Sequence, residues 1–354
     1  MYNIFSYYQS SKIMTSMLTY REDKEYQVKI DICQYEGLYG EMAPVKVITP
    51  VTYRNRTIIL YPGASPYAEK HPKIEMLGIA LAQNGYKVFI PRIPPLKRLN
   101  ISEINVKWFI CFYDWLLNKN TLNPSNIAMV GISFGGAIML KAYLEFQNKL
   151  PIPKLIMTYG TYVDAESTLR FLLTGDILHN GIKYKITPNE WGLVVLFKNY
   201  LQNLDLTWDP TGIQKVMDLH IKEELNMRDS IIAKLPSNQK SIVQSILNGE
   251  CNTRVKELCN AMIVNEKAAL KNLSPKYWVH KIKQKVFIFH GANDSIVPFT
   301  ESIQLAEHIP NAELLISYLY THKEIVKDTS SYFLLKEVLR MIHFFSKFYY
   351  YNEN

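Results

Sequence analysis

Cysteine is scarce in this chain. Cys33, Cys111, Cys251 and Cys259 are the only four in 354 residues, they form no CxxC pair, and none sits in a metal-like cluster with histidine. Zinc modules and densely cross-linked scaffolds are thereby excluded, and no metal is expected. Reduced thiols in a reducing compartment are the simpler reading, with a Cys251 to Cys259 bridge left open. Long apolar runs are missing as well. Stretches such as Met76 to Ala82 and Leu193 to Phe197 fall far short of the about 20 residues that cross a bilayer. Met1 to Ser10 has neither the basic nor the apolar region of a secretory signal. There is no internal repeat, no low-complexity segment and no recognisable nucleic-acid module. The formal charge is +8, but the basic residues are spread along the chain, and the tightest alternation, Lys281, Lys283 and Lys285, reads as the solvated approach to a strand. These absences predict a soluble, cytoplasmic protein with no transmembrane segment and no nucleic-acid partner.

What is present is a globular composition, 48% hydrophobic and 20% charged, in a length that holds one large domain or a domain with a sizeable insertion. Residues 1 to about 20 are rich in Ser, Tyr and Met without clear period, and read as either a disordered lead or an upstream start with Met14 or Met17 as later candidates. Val28, Ile30 and Ile32 alternate with Lys29 and Asp31 as in a half-exposed strand, and Val45 to Ile48 suggests a second, together an antiparallel edge. From Thr57 to Tyr61 the run is continuously apolar, the pattern of a strand covered on both faces. Strands and helices then alternate. A helix around Ile74 to Leu81 stops at Gly85, Tyr86 to Ile90 is a strand, and Ile104, Trp108, Phe112 and Trp115 repeat at helical spacing. Ile127 to Val130, a helix over Phe134 to Gln147 and the strand Leu155 to Tyr159 continue the series. Such a series builds a parallel sheet flanked by helices.

Between Thr161 and about Leu273 the alternation stops and irregular helical patterns replace it, including Trp191 to Leu201 and Val255 to Lys271. The aromatic and apolar content of this stretch points to an ordered, mainly helical cap over 161–273. The sheet resumes at Val286 to Phe289, with a helix near Thr300 to His308, a strand at Leu314 to Ser317 and a terminal helix from about Ser331 to Phe348. The core is therefore expected to comprise 21–160 and 274–354.

Two motifs carry chemistry. In Asn126 to Leu140 an apolar strand runs into a helix across Gly131, Ser133 and Gly135. Gly-x-Ser-x-Gly is a nucleophile elbow when a strand precedes it and a helix follows, because a tight strand-to-helix turn needs small residues on either side of the serine. A serine hydroxyl is a weak nucleophile at neutral pH and needs a base, itself oriented by a carboxylate. His290-Gly-Ala-Asn-Asp294-Ser-Ile-Val-Pro298 follows directly on a strand and places Asp294 at its carboxyl end, where ligand and catalytic groups collect in open α/β sheets. His322 comes after the next apolar strand.

Serine, aspartate and histidine, each beyond a different strand, follow the chain order of α/β hydrolases. On these two motifs the chain resembles an α/β-hydrolase-fold serine hydrolase, of the esterase, lipase and thioesterase kind, over about Thr57 to Gly160 and Ser274 to Phe345. The resemblance implies a mostly parallel central sheet flanked by helices, with the helical cap inserted after Leu155 to Tyr159. It implies Ser133 as nucleophile, Asp294 as acid, His322 as base and no cofactor. Asp164, just beyond the strand Leu155 to Tyr159, is the reserve acid. The backbone N–H of Phe134 would supply one oxyanion donor and that of Ala64 the other. In Tyr61-Pro62-Gly63-Ala64-Ser65 the chain departs from the usual His-Gly by placing Pro62 at the histidine position, but the donor follows the glycine.

The expected reaction is hydrolysis of a carboxylic ester or thioester, with an apolar acyl substrate favoured. Phe171, Trp191, Leu193, Phe197 and Trp208 are candidates either for an acyl pocket or for the cap's own core. Acyl transfer to another acceptor, peptide hydrolysis and non-catalytic ligand binding on the same fold remain the alternatives.

Overall fold

Continuous apolar runs become the middle of the sheet, since a strand covered on both faces has no solvent side to alternate toward. The computed structural model describes residues 4–119, 122–319 and 331–353. Its first part runs α1 (Ile4–Leu18), β1 (Val28–Glu36), β2 (Met42–Pro50), β3 (Arg56–Tyr61), α2 (Pro72–Ala82), β4 (Tyr86–Pro91), α3 (Pro94–Lys97), α4 (Ile104–Lys119), β5 (Ile127–Ile132), α5 (Phe134–Phe146) and β6 (Leu155–Tyr159). The cap follows with α6 (Ala165–Thr174), β7 (Asp176–His179), β8 (Ile182–Lys185), α7 (Glu190–Tyr200), α8 (Thr211–Ile221), α9 (Leu225–Lys234), α10 (Ser237–Leu247), α11 (Thr253–Asn265) and α12 (Lys267–Leu273). The core then resumes as β9 (Val286–Gly291), α13 (Phe299–His308), β10 (Ala312–Ser317) and α14 (Ser331–Glu353).

Eight strands form one sheet in the order β1-β2-β4-β3-β5-β6-β9-β10. The β1–β2 and β2–β4 pairs are antiparallel, and every pairing from β4 through β3 to β10 is parallel. Successive side chains point to opposite faces. Ile59, Tyr61, Met129, Ile156 and Ile288 join the core under α4 and α5. Ile58, Leu60, Val130, Met157 and Phe289 join a separate core under α1, α2 and α14. The cap has its own apolar core, and three consecutive residues of α7 tie it to the loop after α3: Lys198 Nζ donates to the Arg98 carbonyl at 2.9 Å, Asn199 Nδ2 to Leu99 at 2.8 Å and the Tyr200 hydroxyl to Ile101 at 2.9 Å.

One expectation is corrected, and the mainly helical cap gains one feature. The lead is a helix, α1, whose buried residues are Ser6, Gln9, Ser10 and Ile13. With so polar an inward face, no apolar period marks it, and Gln9 Nε2 is instead held by the Asn84 carbonyl at 3.1 Å. The cap also contains the β7–β8 hairpin. All of β8 is exposed and β7 buries only Ile177, so the pair leaves no buried-strand signature. All four cysteines are free thiols, which removes the Cys251 to Cys259 bridge. Among the described residues no helix is long and apolar enough to cross a membrane, and no group of three or more His, Cys, Asp or Glu is placed to hold a metal ion.

Candidate active site

Ser133 occupies the corner between β5 and α5 with φ 54° and ψ −129°. A side-chain-bearing residue rarely adopts that region, and it persists only where the surroundings enforce it. They do so by close approach. A Cβ on Gly131 would lie 2.7 Å from the Gly136 Cα, one on Gly135 would lie 2.2 Å from the Pro62 carbonyl oxygen, and one on Gly136 would lie 2.0 Å from Thr161 Oγ1. Hydrogen bonds complete the corner: Ser133 N donates to the Tyr159 carbonyl at 2.7 Å, and Thr161 Oγ1 to the Ser133 carbonyl at 3.2 Å. The serine hydroxyl makes no capping bond to α5.

The loop after β3 lies against this corner. A Cβ on Gly63 would come within 3.0 Å of the Ile132 carbonyl oxygen and 3.2 Å of the Ser133 Cβ. Ala64 follows directly, and Ala64, Ser133 and Phe134 line one cavity of about 1510 Å³. Phe134 opens α5, whose first N–H groups have no partner within the helix.

Asp294 lies in the turn after β9, two strands from β5, which is roughly 10 Å across the sheet. It is 1% exposed, its Oδ1 accepts from Ile296 N at 2.8 Å and Val297 N at 2.9 Å, and its Oδ2 is 3.3 Å from His290 Nε2. His290 is fully buried, with Nε2 also 3.0 Å from the Val297 carbonyl and Nδ1 2.6 Å from Ser302 Oγ. With both ring nitrogens engaged, the imidazole ties the aspartate turn to α13. His322 lies outside the described residues.

Asp164 is engaged elsewhere. It caps α6 by accepting from Glu166 N at 3.1 Å, takes a 3.4 Å bond from Ser274 Oγ and pairs with Lys276 Nζ. Burial works to lower the Lys276 pKa, and the Asp164 carboxylate outweighs it, leaving the ammonium above its ordinary value.

Sequence reasoning missed Glu301. This 2% exposed carboxylate on α13 accepts from Val163 N at 2.9 Å and Asp164 N at 2.8 Å and is bonded by Ser167 Oγ. It thus ties the helix after the Asp294 loop to the loop after β6, and no local pattern in the sequence marks such a long-range bond. Burial raises its pKa, partly offset by these hydrogen bonds. A carboxyl raised in the folded state binds its proton more tightly there than in the unfolded chain, so its contribution favours folding at low pH and is lost as pH rises through the folded pKa. Glu301→Gln keeps an acceptor for the two N–H groups and should flatten the fall in unfolding free energy as pH rises above the ordinary glutamate range, measured by urea titration at a series of pH values. An unchanged pH slope would show that Glu301 does not titrate in that window.

Of the five aromatic and apolar cap candidates, Trp191 lines the cavity. Phe171, Leu193 and Phe197 are buried in the cap's core, and Trp208 packs against it. The apolar repeat thus serves mainly to hold the cap together.

A family model described as BD-FAE, an esterase-like α/β-hydrolase family, matches residues 219–309. That is about a quarter of the chain, taking in Asp294 but not Ser133. No curated protein matches the chain in sequence. Among solved structures, an acylaminoacyl peptidase of Pyrococcus horikoshii is similar with a TM-score of 0.52 at 12% identity, over 91% of this chain and 42% of its own. A puromycin-hydrolyzing peptidase of Mycobacterium tuberculosis gives 0.52 at 12% identity, over 92% of this chain and 40% of its own. This chain thus spans about two fifths of the length of those proteins. The mostly parallel sheet, the strand-to-helix corner at Ser133 and these likenesses identify the chain as a protein of the α/β-hydrolase fold.

Proposed function

We propose that the chain is a serine hydrolase that cleaves carboxylic esters or thioesters through an acyl-enzyme. Ser133 is the nucleophile, Asp294 the acid and His322 the base. One observation carries the reading: Ser133 is held at positive φ on a strand-to-helix corner, facing the same cavity as Ala64 and Phe134. In this scheme Ser133 Oγ attacks the acyl carbonyl carbon while His322 takes its proton. The oxyanion forms against the N–H groups of Ala64 and Phe134, which are fixed before the reaction starts and need no reorganisation. His322 then returns the proton to the leaving oxygen or sulfur, and water repeats the sequence to free the acid. Asp294, buried and held by two backbone N–H groups, orients the base and stabilises its charged form.

Labelling with a fluorophosphonate followed by peptide mapping tests the assignment. The expected adduct is on Ser133 alone, with p-nitrophenyl butyrate turned over by the unlabelled protein and not by the labelled one. A protein that stays unlabelled, or that keeps its turnover once labelled, would overturn it.

A further inference from the structure

The cavity at Ser133 does not stay under the cap. Its lining continues over the face of the sheet away from α4 and α5, past Ile132 and Val130 of β5 to Leu60 and Ile58 of β3. Its roof on that side consists of α1, α2 and α14, and it reaches Phe348 and Tyr349 near the end of the last helix. Several side chains there belong to the apolar core yet are only half-buried, among them Met14, Met17, Leu77, Val338 and Phe345. All five line the cavity, where a close-packed interior would have filled the space beside them.

The two ends of the cavity differ in chemistry. Tyr67, Glu190, His220 and Glu223 lie where it meets the cap, and His71 and Lys73 lie at the start of α2. Along the sheet the wall is aliphatic and aromatic. Ile58 pairs with Ala128, five residues before Ser133 along the strand direction, so this arm extends roughly 17 Å from the serine at about 3.3 Å per residue. With carbon–carbon bonds of about 1.5 Å a zigzag chain advances roughly 1.3 Å per methylene, and the arm matches an acyl chain of about twelve to fourteen carbons.

We infer that this arm, roofed by α1, α2 and α14, is the acyl-chain site, and that the substrates are esters or thioesters of long-chain carboxylic acids whose polar leaving group lies toward the cap. Every further methylene buried against this apolar wall is drawn out of water, so the arm favours long chains. The substrate class rests on the serine-hydrolase reading above, whereas occupation of the arm by a chain does not.

Two measurements separate these claims. Dodecanoic acid bearing a terminal diazirine, bound to the wild-type protein and photolysed, should crosslink to α1, α2 or α14. Crosslinks confined to the cap helices, or no saturable binding, would overturn the inference whatever Ser133 does. In the second, Leu77→Trp and Val338→Trp each place a ring in the arm and should lower the ratio of kcat/KM for p-nitrophenyl dodecanoate to that for the butyrate at least tenfold. Circular dichroism identifies a variant that has failed to fold, and the other then carries the test. An unchanged ratio in a folded variant that still turns over butyrate would reject the arm and leave the hydrolase reading standing. A protein inert to fluorophosphonate whose arm is crosslinked would reject the hydrolase and keep the arm as a fatty-acid site.

Discussion

Ser133→Ala is expected to lower kcat/KM for p-nitrophenyl butyrate by roughly a thousandfold or more, and to leave the folded protein at least as stable as the wild type. The first part follows from the absence of any other nucleophile in the scheme. Residual turnover would come only from the oxyanion donors and substrate binding, which stay in place. The second follows from the corner itself. The Ser133 hydroxyl does not cap α5, so its removal breaks no helix-capping bond, and alanine meets the same backbone restriction at φ 54° that serine does. Steady-state kinetics and thermal unfolding on the same preparation check both. A variant with undiminished turnover would remove Ser133 from the chemistry.

The second large effect separates two carboxylates. Asp294→Asn is expected to cost roughly a thousand- to ten-thousandfold in kcat/KM, because an amide neither fixes the base in the required orientation nor stabilises its cationic form. The asparagine oxygen still accepts from the N–H groups of Ile296 and Val297, so the turn after β9 keeps its two backbone bonds and gives up the 3.3 Å His290 contact, a loss that thermal unfolding of the variant reads separately from turnover. Asp164→Asn should instead act on stability. Asparagine remains a good helix cap, and losing the partly exposed pair with Lys276 costs about 1 kcal/mol at most, seen as a small drop in unfolding midpoint with turnover within a few fold of wild type. If the effects are exchanged, with turnover lost in Asp164→Asn and kept in Asp294→Asn, the acid lies beyond β6 and not beyond β9.

The sheet was readable from sequence because its central strands are buried on both faces and therefore continuously apolar: Leu155–Tyr159 was delimited to the residue, and β3, β5 and β9 to within one or two. The serine corner was readable because the contacts that force it demand glycine at fixed offsets. What could not be read has a common cause. The buried face of α1 is satisfied by polar side chains, β8 is buried on neither face, and Glu301 bonds to residues some 137 positions away. Each of these depends on a partner that local periodicity does not report. The cap aromatics were legible as apolar, but not as core or pocket, since both uses draw on the same residue types.

A residue held at positive φ without being glycine costs of the order of 1–3 kcal/mol, and in this fold that cost persists in every resting molecule, with or without substrate. The hydrogen bonds to Tyr159 and Thr161 and the close approach of Pro62 hold the corner against it. Around this serine, then, loss of function and gain of robustness should travel together: substitutions that let the corner relax free the backbone as they misplace the nucleophile. Elsewhere in the core the two quantities decline in parallel. With Ser133 as the proposed nucleophile, adaptation to heat and adaptation to catalysis are expected to pull in opposite directions at this corner.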